Sequence, residues 1–247
     1  MTSNSAPSAG TIRVVDLGRR PYAEVLDLQR RLCQERISGA RQHDLLLLVE
    51  HDPVVTLGRS TRETSLPLAP ALLAQRGLEV FEVERGGDVT LHAPGQLVGY
   101  PILHLEGHRP DLHWYLRQIE QVLIEALGPF GIPAERNPGL TGVWTRNRKI
   151  ASIGIHVKRW VTFHGFALNV TTDLSLFDLI VPCGIAGVRM TSIARETTAA
   201  GVSPGPADAD LARRVRAGTV AAFGRVFERA TEYADAGILD AGSTPGT

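Results

Sequence analysis

Lysine is nearly missing from this chain: of its 26 basic residues only Lys149 and Lys158 are lysines, and the other 24 are arginines. Arginine stays charged in essentially any setting, whereas lysine can release its proton when its surroundings favour it. A chain that writes its surface charge in arginine therefore singles out the two places where it does not. Cysteine is as scarce. Cys33 and Cys183 are too few for a disulfide framework, which excludes a small disulfide-stapled fold. A formal net charge of zero excludes a broad electrostatic hold on nucleic acid or acidic lipid. No apolar run approaches the roughly 20 residues of a membrane-spanning helix. The opening MTSNSAPSAG has neither the basic start nor the apolar middle of a secretion signal. Internal repeats and a phosphate-cradling Walker loop are missing too. His104, His108 and His113 lie close together, but no Cys or second cluster completes a zinc site. The expectation is a cytoplasmic enzyme with no metal and no cofactor.

What is present reads as one globular domain over residues 11–235, with disordered ends at 1–10 and 236–247. Thr11 to Leu17 reads as a strand and Tyr22 to Ile37 as a helix whose apolar face includes Cys33. Asp44 to Glu50 is a continuous apolar run that fits a buried strand. Val54 to Leu57, Glu79 to Glu84 and Leu97 to Leu105 read as further strands, and Pro67 to Gly77 as a short helix closed by glycine. Asp111 is an expected N-cap for a helix ending near Leu127. Gly142 to Thr145, Lys149 to Val157 and Val161 to Val170 read as three strands. Thr197 to Asp208 reads as a loop and Leu211 to Tyr233 as a last helix. Strands gathered in the middle, with helices between and after them, predict an α+β fold with a mixed sheet.

Three segments are built unlike ordinary core. Arg85-Gly86-Gly87-Asp88-Val89-Thr90-Leu91-His92-Ala93-Pro94-Gly95-Gln96 has adjacent glycines that let the backbone turn and lie close to a ligand, or simply form a long connection. Arg148-Lys149-Ile150-Ala151-Ser152-Ile153-Gly154 alternates, so Lys149, Ala151 and Ile153 are expected on one face and Ile150, Ser152 and Gly154 on the other. Small residues here and at Gly165 and Ala167 leave room for a bound chain; Lys149 is otherwise a solvated charge. Cys183 stands between Pro182 and Gly184 on a rigid turn. The amides after it would stabilise an oxyanion if the thiol is a nucleophile; the alternative is a structural cysteine.

Four stretches in order, HDPVVTLGR, RGGDVTLHAPGQLVGYPILHL, GVWTRNRKIASIGIHVKRWVTFHGFALNV and DLSLFDLIVPCGIAGVRMTSI, resemble the octanoyltransferase family of lipoate biosynthesis. The resemblance spans about Leu45 to Ile193. It implies a mixed sheet packed with helices, as in lipoate and biotin protein ligases. It implies Cys183 as the acyl-thioester nucleophile and Lys149 as the residue that tunes it. Arg85, Gly86, Gly87, Asp88, Val89, Thr90, Leu91 and His92, the turn of Ser152, Ile153 and Gly154, and Gly165, Phe166 and Ala167 are then expected to line the acyl site. Leu91 and Ala93 depart from the family's usual aromatic and glycine. The implied partners are octanoyl-acyl-carrier protein as donor and, as acceptors, lipoyl domains of 2-oxoacid dehydrogenase E2 subunits and the glycine cleavage H protein. Two rival enzymes use the same parts: an ATP-dependent lipoate ligase, which needs no nucleophilic cysteine, and a cysteine thioesterase. A non-catalytic module that binds lipoyl domains would form no adduct at Cys183.

Overall fold

The computed structural model describes residues 10–184, 187–199 and 208–240. Its strands are β1 (Ile12–Arg20), β2 (Asp44–His51), β3 (Val54–Leu57), β4 (Glu79–Glu82), β5 (Val89–His92), β6 (Gln96–Ile102), β7 (Glu135–Asn137), β8 (Leu140–Thr145), β9 (Arg148–Lys158), β10 (Val161–Asn169) and β11 (Thr231–Tyr233). The helices are α1 (Tyr22–Ser38), α2 (Pro70–Gln75), α3 (Leu112–Leu127), α4 (Ile193–Ala199) and α5 (Asp208–Phe227). Eight strands form a mixed sheet in the order β11-β1-β2-β6-β10-β9-β8-β7, and a second sheet runs β4-β3-β5. The α+β expectation holds.

The apolar run Leu45–Val49 is fully buried because β2 is covered on both sides. Leu46 and Leu48 face the core shared with α3 and α5, while Leu45, Leu47 and Val49 face α1. Each such side chain contributes on the order of 2 kcal/mol through burial. Cys33 belongs to the α1 face of that core, and burial pushes its thiol up to about 11. Asp111 caps α3 as expected, its carboxylate accepting the Trp114 amide at 3.0 Å. The small sheet has its own core, in which Val89, Leu91 and Ala93 meet Val55, Phe177 and Ile180. Tyr22 and Leu26 of α1 pack on Val54 and Val83 and so fasten it beside the large sheet.

Several expectations are corrected. The glycine-rich stretch contains a strand, β5, which pairs antiparallel to β3. The last helix stops at Phe227 rather than Tyr233, since Glu228 turns left-handed (φ 53) and the Arg229 amide folds back onto Gly224 O at 3.0 Å. The chain then joins the sheet edge as β11. Part of the expected loop is α4, and 200–207 lie outside the described residues. The expected disordered tail begins instead with a short helical turn, Ala236–Leu239. Arg41 and Arg31 donate to the carbonyls of Ile238 and Leu239 there, and Leu239 is buried. Residues 1–9 and 241–247 lie outside the described residues.

Two of the small residues make room for neighbouring protein. A Cβ on Gly165 would stand 2.1 Å from Gly99 O and 2.8 Å from Pro101 Cδ, so this glycine lets β10 approach β6. A Cβ on Gly154 would meet Arg85 Cδ at 2.9 Å and Gly86 O at 3.0 Å, so it admits the Arg85 loop. Overpacking of this kind typically costs about 1–3 kcal/mol. Gly165→Ala is accordingly expected to lower the thermal midpoint by several degrees. A variant as stable as the parent would contradict this.

Candidate active site

Lys149 begins β9 almost wholly buried, 2% exposed. A one-residue bulge puts it there. β8 pairs Val143 with Ala151 but Trp144 with Lys149, so strict alternation breaks between them. Ile150 and Ala151 both enter the core beneath α3, and Lys149 shares the other face with Ser152 and Gly154. The simple alternation, with Lys149 beside Ala151 and Ile153, is thus corrected. The ammonium lies 5.5 Å from the Trp144 ring centroid. Its stem occupies the place of a side chain at Gly142, where a Cβ would meet Lys149 Cε at 2.7 Å and φ is +119°.

The backbone of Lys149 is held just as firmly. Its N–H donates to Arg189 O, and its carbonyl accepts from the Thr191 amide, both at 2.9 Å, in a parallel bridge with Met190. Upstream of that bridge, Pro182–Gly184 forms a single helical turn closed by Gly184 N–H to Val181 O at 3.0 Å. That hydrogen bond occupies one amide expected to face an oxyanion. Val181 N–H donates to Ser65 O at 2.9 Å, and the Ser65 hydroxyl donates to Asp88 Oδ2 at 2.7 Å. Gly184 is left-handed (φ +66°) and lies so close to Asp88 that a Cβ would stand 2.2 Å from Oδ2. Cys183 is the middle residue of this turn; its side chain lies outside the described atoms.

A cavity of about 240 Å³ opens between the β9–β10 face, the start of α1 and the small sheet. Of the expected residues, Arg85, Gly87, Asp88, Val89, Thr90, His92, Lys149, Ser152, Ile153, Gly154, Gly165, Phe166 and Ala167 line it. Gly86 and Leu91 do not. Gly86 anchors its loop by donating to Ile155 O at 2.9 Å, and Leu91 points into the small-sheet core with Ala93. Both family departures are therefore packing substitutions away from the cavity. Arg85 is buried, bonded to the Thr56 carbonyl at 2.6 Å and to its hydroxyl.

Tyr22, Tyr100, Gly139, Leu140, Thr141 and His164 also line the cavity and were not singled out from sequence. Pro138-Gly139 and the glycine at 142 were a signal for the rim; Tyr22 and Tyr100 had none. His164 sat inside a quoted motif. It takes a left-handed φ of 56° opposite Pro101, which has no N–H for the ladder, and its own N–H turns to Gln29 Oε1 at 2.9 Å. Its ring stacks on Phe163 at 4.8 Å and stands 3.5 Å from Glu84 Oε2. Burial holds His164 and His92 down at about 3 and His51 at about 4, so all three are neutral near pH 7.

Among the described residues no group of three His, Cys, Asp or Glu side chains is arranged to hold a metal ion, and no helix is long and apolar enough to cross a membrane. Residues 21–206 match the family described as the lipoyl protein ligase A/B catalytic domain. An octanoyltransferase of Gloeobacter violaceus is 52% identical over 176 residues, 71% of this chain and 77% of that one. One from Koribacter versatilis is 52% identical over 190 residues, 75% of each chain. In fold, the chain is similar to a lipoate-protein ligase A crystallised with ATP, at 13% identity and a TM-score of 0.67, covering 92% of this chain and 89% of that one.

Neutral buried histidines make stability depend on pH. In the unfolded chain each titrates near its ordinary value of about 6.5. As pH falls below that value the unfolded state binds protons before the folded state does, so stability present above about pH 6.5 drains away toward the folded values. The slope is at most about 1.4 kcal/mol per pH unit for each histidine. Urea midpoints measured at about pH 7.5, 6 and 5 should fall in that order. A flat midpoint across this range would show that these histidines keep their ordinary proton affinity.

Proposed function

From the premise that this chain belongs to the lipoyl protein ligase A/B catalytic domain family, we propose how it carries out the octanoyl transfer of protein lipoylation. The chain is an acyltransferase of the octanoyltransferase kind, and its acceptor is a lipoyl domain. The finer reading is that octanoyl-acyl-carrier protein is the donor and that the group passes through Cys183. Lipoyl domains of 2-oxoacid dehydrogenase E2 subunits and the glycine cleavage H protein receive it, in the cytoplasm.

The observation that carries this reading is that two of the three segments line one cavity and the third is tied to its wall. Lys149 and Asp88 are both in its wall, and the Pro182–Gly184 turn is tied to Asp88 through Ser65. In the first half-reaction the Cys183 thiolate attacks the donor carbonyl; a carbon–sulfur bond forms to Cys183 and the carrier thiolate leaves, to be protonated. One thioester replaces another, so little driving force is needed and no ATP is consumed. In the second, the acceptor lysine's amine attacks the acyl-enzyme, gives up a proton, and expels the Cys183 thiolate as a stable amide forms. Lys149 is the group that lends and takes these protons, a role arginine cannot fill.

Incubation with octanoyl-carrier protein should add one octanoyl mass to the intact chain, removable by hydroxylamine and absent in Cys183→Ser. An adduct found on Cys33 instead would sink the assignment, as would none at all. Lys149→Arg keeps a cation but loses the mobile proton. It is expected to retain some thiol reactivity toward a small alkylating agent, yet to transfer octanoyl about a hundredfold more slowly or worse. Transfer at close to the parental rate would make Lys149 a fixed charge only.

A further inference from the structure

A backbone carbonyl can only accept a hydrogen bond, and this fixes the direction of every bond in the cluster behind His92. Thr191 O accepts from Asn169 Nδ2 at 3.0 Å, so the Asn169 amide oxygen is the atom turned to Gln96. That oxygen accepts from Gln96 Nε2 at 2.9 Å, and Leu91 O accepts from the same nitrogen at 3.3 Å. Gln96 is left with its oxygen toward His92 Nδ1 at 2.8 Å, and Nδ1 therefore carries the proton. The polar atom that remains to the His92 ring, which lines the cavity, is Nε2 with a bare lone pair.

A second chain starts from another carbonyl and ends the same way. His51 Nδ1 donates to Arg20 O at 2.8 Å, so its Nε2 accepts from the Tyr100 hydroxyl at 2.9 Å. Having given its proton to His51, Tyr100 too offers the cavity only lone pairs. Tyr22 stacks on His92, with centroids 5.8 Å apart and planes 16° from parallel, and holds the ring in place. At His92 and Tyr100 the wall thus presents acceptors without donors. An acyl chain has no N–H or O–H to give them.

We propose that Gln96 and Asn169 are positioning residues that fix His92 as the Nδ1–H tautomer, so that His92 Nε2, with Tyr100 in the same wall, accepts an N–H from a reacting partner. This rests on the acyl-enzyme route above. The N–H belongs either to the amine of the acceptor lysine or to the thiol portion of the donor, and the two act in different half-reactions. His92 holds this group without deprotonating it. Burial, and then His51, keep its proton affinity at about 3, far below the roughly 10.4 of a lysine ammonium. Proton transfer stays with Lys149.

The test measures each half-reaction by intact mass on the full chain: acyl-enzyme formation from octanoyl-carrier protein, then loss of the acyl group to a lipoyl domain after the donor is removed. His92→Leu removes the acceptor and is expected to slow one half-reaction about tenfold while leaving the other within about twofold. His92→Gln, whose oxygen reaches about where Nε2 stood, should recover most of the loss. A defect in the second half-reaction assigns the N–H to the attacking amine, and one in the first assigns it to the donor. Gln96→Glu adds the pH profile of activity as a second readout. A carboxylate against Nδ1–H raises the proton affinity of His92, so activity should gain an acid limb nearer neutral pH than in the parent as the lone pair is protonated. Equal losses in both half-reactions, no rescue by glutamine, or an unchanged pH profile in Gln96→Glu would each overturn the proposal. If the parent itself forms no adduct at Cys183, it is the acyl-enzyme reading that fails.

Discussion

Two hydrogen bonds from the peptide groups of Lys149 to the segment 189–191 hold this site together. They seat that segment as a short parallel partner of β9, and the chain reaching it has just left the turn that carries Cys183. Lysine and cysteine are 34 positions apart in sequence, as their numbers state. The backbone bridge ties the segment downstream of that turn to the strand of Lys149, regardless of what either side chain does. Ser65 and Asp88 close the frame from the other side, since the carbonyl of one and the carboxylate of the other reach the same turn.

Polarity in this cavity is arranged by burial as much as by choice of residue. Three histidines stand in or behind its wall, and desolvation keeps each neutral. The tautomers of His51 and His92 are then set by fixed partners, backbone carbonyls at the ends of two short chains. Arg85, in the same wall, is tied to Thr56 and the loop backbone. Preorganised dipoles of this kind need no rearrangement when charge moves.

The close packing of backbones follows the same economy. Glycines at 99, 142, 154 and 165 each stand where a Cβ would strike a neighbour at 2.1–2.9 Å. At Gly99 the neighbour is the Phe166 ring and at Gly142 the Lys149 stem. Gly154 and Gly165, which suggested a groove, thus serve to bring β6, β9, β10 and the Arg85 loop together. The groove is what remains between them.

Chain pattern alone determined much. The double-sided burial of β2, the capped start of α3 and the long strands β9 and β10 were legible because apolar periodicity and capping chemistry act over a few neighbouring residues. The order of motifs likewise pointed to the glycine-rich loop, Lys149 and the Pro-Cys-Gly turn. Tertiary structure alone decided which face Lys149 occupies. A one-residue bulge in the pairing with β8 reverses alternation, and it is visible only once the two strands are paired. It also decided that Leu91 serves the core while Tyr22, Tyr100 and His164 serve the cavity. Those positions lie far apart in sequence, and nothing local records which of them the packing of two sheets and a helix will bring to one wall.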